Sequence, residues 1–557
     1  MKITRILIRN YKSIKELDFK PNPRLNIFIG ENSVGKSNIF DAINWILGPT
    51  YPTFNATTKE DHYLGNENNK ILIRLEFDTN DSLELNEHKE VDGQNKSGLF
   101  YNDQNYNCKR EIRETFCSAF IGTERQIVDY LPSNRWSLLG RILLDINKRF
   151  CEEQTEDGEP KPEKLKKELD EIRDKLLFTV KGENGSEIMK DFIAILQEES
   201  ARQMNISPEN FKLNFNLYDP WNFYKTLQIL VKEPEIGLEF QASQLSAGAQ
   251  ASITIAILRA YSEIKLGGGN PIFIDEPELF LHPQAQRNLY KILRKIADEM
   301  NIQIFCTTHS PYFLSLESFD EIFVVRKTKE KGTYIRNAEI DKFIEDLRIR
   351  WGKNTDATTL KLYYKNAFEQ TADSISSLEA FFAKKVILVE GESEALILPY
   401  FFEKIGFDYV KEKITIVKCG SKNELDRFYR LYSEFGIPCF VIFDGDKDKG
   451  NEEEQRKINN ELFDIIGETE IRDFPDGEVH KNYLGFEYDF NYALKKAGFK
   501  DVYNEGNPKK SPKGLTFFRN VKNQVDNGEA HVPDWISEIR RKIENLPEEI
   551  ESVLKRE

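Results

Sequence analysis

Two sets of residues in this 557-residue chain have the types and spacing for phosphate chemistry. The first opens with Gly30-Glu-Asn-Ser-Val-Gly35-Lys36-Ser37. Glycines there let backbone N–H groups converge on an anion, and the start of a following helix adds partial positive charge. Lys36 can reach the β- and γ-phosphates and the Ser37 hydroxyl can ligand Mg²⁺. Gly30, Asn32, Ser33, Gly35 and Asn38 complete the ATP-binding set. Farther along, Pro271-Ile-Phe-Ile-Asp275-Glu276 is an apolar run ending in paired acids. Asp275 would hold Mg²⁺, and Glu276 would position or deprotonate the attacking water. His309 closes another apolar run and would bond the γ-phosphate or Glu276. In Gln244-Leu-Ser-Ala-Gly-Ala-Gln250, Ser246 and Gly248 stand at a helix start, where a hydroxyl and open N–H groups could meet the γ-phosphate. An ordinary helix cap explains that stretch as well. Gln126 is a candidate contact to Mg²⁺ or water, with a plain surface glutamine as its simpler reading.

The second set is acidic. Lys385-Val-Ile-Leu-Val ends in Glu390, and Pro438-Cys-Phe-Val-Ile-Phe ends in Asp444-Gly-Asp446-Lys-Asp448. These runs alternate with helical stretches, which implies a parallel α/β sheet with ligands at the C-terminal strand ends. Glu390, Asp444 and Asp446 therefore share one rim. Clustered carboxylates repel each other unless a hard cation neutralises them, so the set calls for Mg²⁺ or Mn²⁺. Two such ions can activate water and steady a leaving phosphate oxygen. An EF-hand loop is the competing reading, and it lacks the later glycine and glutamate. The spacing leaves open whether Asp446 or Asp448 is the ligand.

The elements that must position these residues follow from periodicity. Residues 1–20 alternate as two antiparallel strands, Leu25 to Ile29 is a buried strand, and residues 37–47 form the helix after the phosphate loop. Residues 70–78 read as a strand, 80–110 as a solvated hairpin or loop, and 117–121 as a buried strand. Residues 151–163 form an acidic, proline-containing break before helical stretches at 163–177 and 186–203. Composition sets the outer bounds. Apolar residues make up 39% and charged residues 31%, and a chain this long needs two to four cores. No apolar run approaches the roughly 20 residues of a membrane helix, and the N-terminus lacks an export signal. Six scattered cysteines without a C-x-x-C pair argue for reduced, cytoplasmic thiols. With a net charge of −15, any nucleic acid must be held by local basic patches or by metal ions.

The phosphate loop, LSAGAQ, FIDEPELFLHP and TTHSP resemble, in that order, the ABC-type ATPase head of the SMC and RecF kind. That resemblance implies a head-to-head dimer in which the signature loop of one subunit closes on ATP bound to the other. The Glu390 and Asp444 pattern resembles the Toprim domain. A head followed by Toprim in one chain is similar to the OLD (overcoming lysogenization defect) ATPase-nucleases. The implied architecture is α/β throughout. An ATPase head (1–150 and 226–340) carries a helical insert (151–225), read as a dimerisation or lid segment or equally as a solvated structural bundle, and a helical connector (341–384) leads to a Toprim nuclease domain (385–557). The resemblance extends the metal set to Glu394, Glu487 and Asp489. It also places a lysine that stabilises developing phosphorane charge in the stretch holding Lys513, with Lys510 second and a DNA-backbone patch as the plainer role. It implies a metal-dependent DNA endonuclease governed by ATP, acting in anti-phage defence alone or beside a helicase or a reverse transcriptase with its RNA. A DNA-clamping scaffold ATPase with a non-cleaving Toprim domain is the alternative. A primase would need a zinc ribbon, and a topoisomerase a tyrosine domain for which the chain has no room.

Overall fold

The computed structural model describes residues 1–48, 50–104, 107–116, 118–122, 138–172, 175, 179–183, 185–204, 207, 221–222, 226–227, 229–232, 237–246, 249–250, 253, 256–257, 270–279, 281–299, 301–351, 375–447, 450–468, 472–504 and 511–554. Its strands in chain order begin with β1 (Ile3–Tyr11), β2 (Ile14–Phe19), β3 (Leu25–Ile29), β4 (Leu72–Phe77), β5 (Ser82–Val91), β6 (Gln94–Tyr101) and β7 (Ala119–Ile121). A separate hairpin, β8 (Leu230–Lys232) and β9 (Glu239–Gln241), precedes β10 (Ile272–Ile274), β11 (Ile304–Thr307), β12 (Ile322–Thr328) and β13 (Gly332–Asn337).

Apart from that hairpin, these strands form one sheet in the order β6-β5-β4-β1-β2-β13-β12-β3-β11-β10-β7. Its first half is antiparallel, whereas β12, β3, β11, β10 and β7 run parallel. Parallel strands need cover on both faces, and β3 is buried at every position. Alternation sends Leu25, Ile27 and Ile29 to one core and Phe28 to the other. On the second face Phe28 stacks on Phe323 and Phe273 on Phe305, with ring centroids 5.2 and 4.6 Å apart. The helix Lys36–Leu47 packs on that aromatic ladder through Ile39, Phe40 and Ile43. The helix Pro283–Glu299 covers the opposite face with Leu289, Leu293 and Ile296.

The second sheet contains β14 (Lys385–Val389), β15 (Ile414–Lys418), β16 (Cys439–Asp444) and β17 (Tyr483–Phe486), in the order β15-β14-β16-β17 and parallel throughout. Every strand end that the acids were expected to occupy thus faces one edge. The apolar cluster on one face of this sheet is continuous with the core of the head. Val386 and Leu388 belong to the same buried group as Phe343 and Leu347 of the helix Ile340–Trp351. Buried charge also crosses this junction, where Arg430 meets Asp346 at 3.1 Å and Asp426 at 3.0 Å.

Three features depart from the sequence reading. Residues 82–101 are two long paired strands, the hairpin of the two readings left open, but not a wholly solvated one, because Leu83, Leu85, Leu99 and Phe100 are buried between their polar neighbours. An additional helix, Leu138–Glu152, lies ahead of the insert, which holds Lys161–Ile172 and Ile188–Met204. The C-terminal stretch returns to the head. Glu549 pairs with Arg336 at 2.5 Å and accepts from Tyr334 Oη at 3.1 Å, and the Ile550 N–H donates to Gly436 O at 3.3 Å.

Candidate active sites

In the head, the phosphate loop turns between β3 and its helix through Gly30 (φ +151) and Gly35 (φ +108). A Cβ on Gly30 would lie 2.3 Å from Val325 O, and one on Gly35 would lie 2.4 Å from Thr333 Oγ1, so both positions require glycine. Ser33 also takes a left-handed conformation, at φ +65. Lys36 is buried, and its ammonium donates to Gly30 O at 2.9 Å and Glu31 O at 3.0 Å. Burial lowers its pKa, against the pull of Glu276, Asp275 and Glu278. The loop and the acidic strand end therefore meet, as the sequence reading expected. Ser37 is exposed at the helix start, as are Asn32 and Ser33. Asn38 instead turns its amide to Ser13 Oγ at 2.6 Å, where it braces the loop against β1–β2.

Asp275 stands one residue beyond β10 and accepts from the Thr307 hydroxyl. Glu276 has φ +46, and its N–H donates to Thr307 Oγ1 at 2.9 Å. Thr307, at the end of β11, thus sets both acids, a role its place in Cys-Thr-Thr-His did not advertise. His309 Nε2 is 3.6 Å from Glu276 Oε1, and burial followed by the Lys36 charge lowers the imidazole pKa. Glu278 was also overlooked. It is buried, accepts the His309 N–H at 2.6 Å and has its pKa raised by desolvation, so it fixes the histidine backbone. Ser246 is exposed, and its Oγ accepts the Ala249 N–H at 3.4 Å in the manner of a helix cap. Gly248, Gln126, Asp448 and Lys510 lie outside the described residues.

At the Toprim edge, Glu390 and Asp444 end adjacent strands, and the Asp444 N–H donates to Glu390 Oε2 at 3.3 Å. Asp444 Oδ1 accepts the Phe490 N–H at 2.9 Å. Burial raises the Asp444 carboxyl well above its ordinary range, and Glu394, Glu390, Asp446 and Asp489 push it further. Glu394 lies in the first turn of the helix Glu392–Lys404 and is 4% exposed. Its pKa is pushed up to about 7 by burial, with Glu390 and Asp489 adding repulsion. Asp446 is buried at φ +57. Asp489 caps the helix Phe490–Lys496 by accepting the Tyr492 N–H at 2.7 Å.

Glu487 departs from the expected set. Its carboxylate pairs at the surface with Lys447 at 2.6 Å, which is cheaper than adding another charge to a crowded edge. Lys513 is exposed immediately before the helix Gly514–Asp526. Its neighbours bracket the rim: Pro512 O accepts from Asn491 at 3.2 Å, and a Cβ on Gly514 would lie 3.4 Å from Glu392 Oε1. Among the described residues, no three acid, imidazole or thiol groups are drawn into a finished cage around one point. The carboxylates nonetheless fit a hard cation. They are all-oxygen donors, and burial first, then repulsion from neighbouring carboxylates, raises the pKa of Glu394 and Asp444, which a hard cation would offset.

Comparison with known proteins agrees with this geometry. Residues 1–116 and 78–314 match the AAA ATPase domain family, and residues 381–446 match the TOPRIM domain of overcoming lysogenization defect protein-like proteins. The OLD nuclease of Thermus scotoductus is 24% identical over 492 residues, covering 82% of this chain and 85% of its own. The Old nuclease of Escherichia phage P2 is 24% identical over 490 residues, covering 80% and 77%. Endonuclease GajA of Bacillus cereus is 26% identical over 212 residues, covering 36% and 29%. Among the described residues no helix is long and apolar enough to cross a membrane. The chain belongs to the AAA ATPase domain family through its head and carries an OLD-like Toprim domain behind it, an ATPase with a Toprim nuclease domain that is similar over most of its length to the OLD nucleases.

Proposed function

We propose that this protein is a divalent-metal-dependent DNA endonuclease whose cutting is governed by ATP in the head. One observation carries the reading: strand ends β14 and β16 set Glu390 and Asp444 side by side, with buried Glu394 and Asp446 next to them. Glu390, Glu394, Asp444 and Asp446 would hold Mg²⁺ or Mn²⁺, with Asp489 at the margin. Bound there, such ions activate water and neutralise charge on the scissile phosphate. The chain's own residues do the rest. The parallel sheet fixes the spacing of the acids, the Phe490 N–H orients Asp444, and exposed Lys513 meets the phosphodiester charge from the rim. In the head, Lys36 would bind the ATP phosphates, Ser37 and Asp275 would hold Mg²⁺, and Glu276 with His309 would orient the attacking water.

ATP control has a physical route. Lys413, just before β15 of the Toprim sheet, pairs with Glu31 of the phosphate loop at 2.5 Å. Two heads joined through ATP, with the Ser246 loop of one copy closing on the other, form the working dimer. The nuclease names of the relatives support a nucleic acid as substrate; DNA as that nucleic acid, and a role in anti-phage defence alone or beside a helicase or a reverse transcriptase with its RNA, are part of the proposal.

The test is supercoiled plasmid incubated with Mg²⁺ or Mn²⁺, with and without ATP, using wild type, Lys36→Ala and Glu390→Ala. Wild type should cut, Glu390→Ala should not, and Lys36→Ala should cut without responding to ATP. Failure of wild type to cut with any divalent ion would sink the reading in favour of a scaffold ATPase.

A further inference from the structure

The acid edge contains a cation of its own. Lys422 opens the helix Lys422–Glu434 immediately beyond β15 and is only 5% exposed. Its ammonium lies 2.9 Å from Asp446 Oδ2 and donates to Gln455 Oε1 at 2.9 Å and Asn459 Oδ1 at 3.2 Å. Those three partners use all three of its donors. Asn459, fully buried, passes its own amide N–H groups to Gly445 O at 3.1 Å and Asp473 O at 3.3 Å. One lysine therefore holds the Asp446 side chain directly and the backbone before it at one remove.

That turn needs holding. Asp446 sits at φ +57, and a Cβ on Gly445 would lie 2.6 Å from Phe486 O and 2.7 Å from Glu487 O. A lysine with no task here would place its charge in water, because burying an ammonium is costly unless it is paired. Lys422 cannot serve as the rim lysine, which must reach a DNA phosphate from solvent, as exposed Lys513 can.

We infer that Lys422 is a positioning residue for phosphodiester cleavage, a fixed counter-charge that orients Asp446 and lowers by one the negative charge that incoming divalent ions meet. This rests on the metal-dependent reading above. Its consequence is unlike that of losing a metal ligand. Removing the ammonium raises the attraction of the edge for cations while freeing Asp446 from its productive orientation, so binding tightens as cleavage slows.

The experiment uses the full chain. Free Mn²⁺ is titrated by electron paramagnetic resonance and plasmid cleavage is followed in parallel, for wild type, Lys422→Met, Lys422→Arg and Asp444→Asn. Lys422→Met should bind Mn²⁺ about threefold or more tightly and cleave at least about tenfold more slowly. Lys422→Arg should keep the wild-type Mn²⁺ midpoint within about twofold, and Asp444→Asn should weaken binding. A Lys422→Met protein that matches wild type in both measurements, or binds Mn²⁺ more weakly, overturns the inference and leaves the metal reading intact. Should Lys422→Met fail to fold, a Lys422→Arg midpoint about tenfold from wild type overturns it. Wild type that binds no Mn²⁺ removes the metal reading and this inference with it.

Discussion

The head and the Toprim edge both end parallel strands in clustered acids, but they balance that charge differently. In the head, Asp275, Glu276 and Glu278 face Lys36, which opens its helix and, among the described residues, donates to two carbonyls. At the Toprim edge, Glu390, Glu394, Asp444, Asp446 and Asp489 act on one another, and the buried lysine among them is locked by three partners. A cation that rests on neutral carbonyls can be handed to an incoming triphosphate, which is how the proposed function uses Lys36. A locked cation cannot, so under the proposed function the Toprim edge would import positive charge before a phosphodiester approaches. The same strand-end device thus serves opposite electrostatic tasks, and the lysine decides which.

The sharpest way to break this comparison is to show that the two centres are one. Asp444→Asn should reduce plasmid cleavage by about 10³-fold while changing ATP hydrolysis, read by phosphate release, by less than about twofold. If ATP hydrolysis falls with it, the separation is wrong. The reciprocal variant, Glu276→Gln, should slow ATP turnover by about 10²-fold or more and leave nucleotide binding in place, because Lys36 and the loop N–H groups are untouched. Loss of binding in that variant would mean that Glu276 shapes the phosphate site and does not act on water.

A third prediction concerns stability. Glu394 has its folded-state pKa pushed up to about 7 from 4.5, chiefly by burial and then by Glu390 and Asp489. Because the folded value is the higher one, its favourable contribution is fully present below pH 4.5 and is lost as pH rises through 7. The loss is about 3 kcal/mol for this buried carboxyl. In a chelator, the melting temperature should therefore fall between pH 5 and pH 8. Mn²⁺ should flatten that slope, and so should Glu394→Gln. A chelated wild type with a level melting profile over this range would mean that the Toprim edge is already compensated and needs no imported charge.

How much of this was legible in the sequence differs between the two regions for physical reasons. The strands that carry the acids are continuous apolar runs because both faces are buried, so β3, β10, β14 and β16 stand out, and the residue types at their ends announce the chemistry. Pairing between strands is non-local, yet the parallel rule was enough to predict that Glu390 and Asp444 would meet. Residues that act through others left no pattern. Thr307, Glu278 and Lys422 sit in ordinary polar positions, and only the fold brings them to Asp275, His309 and Asp446. Glu487 misled because an acid near the right strand end looks the same in sequence whether it turns inward or pairs with Lys447 at the surface. The β5–β6 hairpin was one of two readings of its stretch, and its polar alternate residues hid how much of it is buried. The return of Glu549 to Arg336 was invisible because one carboxylate near a chain end carries no address.

The smallest expected effect probes the link between the centres. Lys413 and Glu31 are each about half exposed, 50% and 45%, so their ion pair contributes at most about 1 kcal/mol to stability. Its location gives it weight, because Glu31 O is one of the two carbonyls on which Lys36 rests. Under the proposed function, Lys36 would turn to a triphosphate, that carbonyl would lose its partner, and a shift of the Glu31 backbone would pull or release Lys413 at the head of β15. That strand runs on to Lys422 and so to Asp446. A double-mutant cycle with Glu31→Gln and Lys413→Met separates the two consequences. Each single variant and the double should melt within a few degrees of wild type, yet all three should blunt the ATP-dependent change in cleavage rate to the same extent. Blunting that adds between the two single variants would show that Glu31 and Lys413 act through separate routes, and the strand β15 would then not be what joins the head to the nuclease edge.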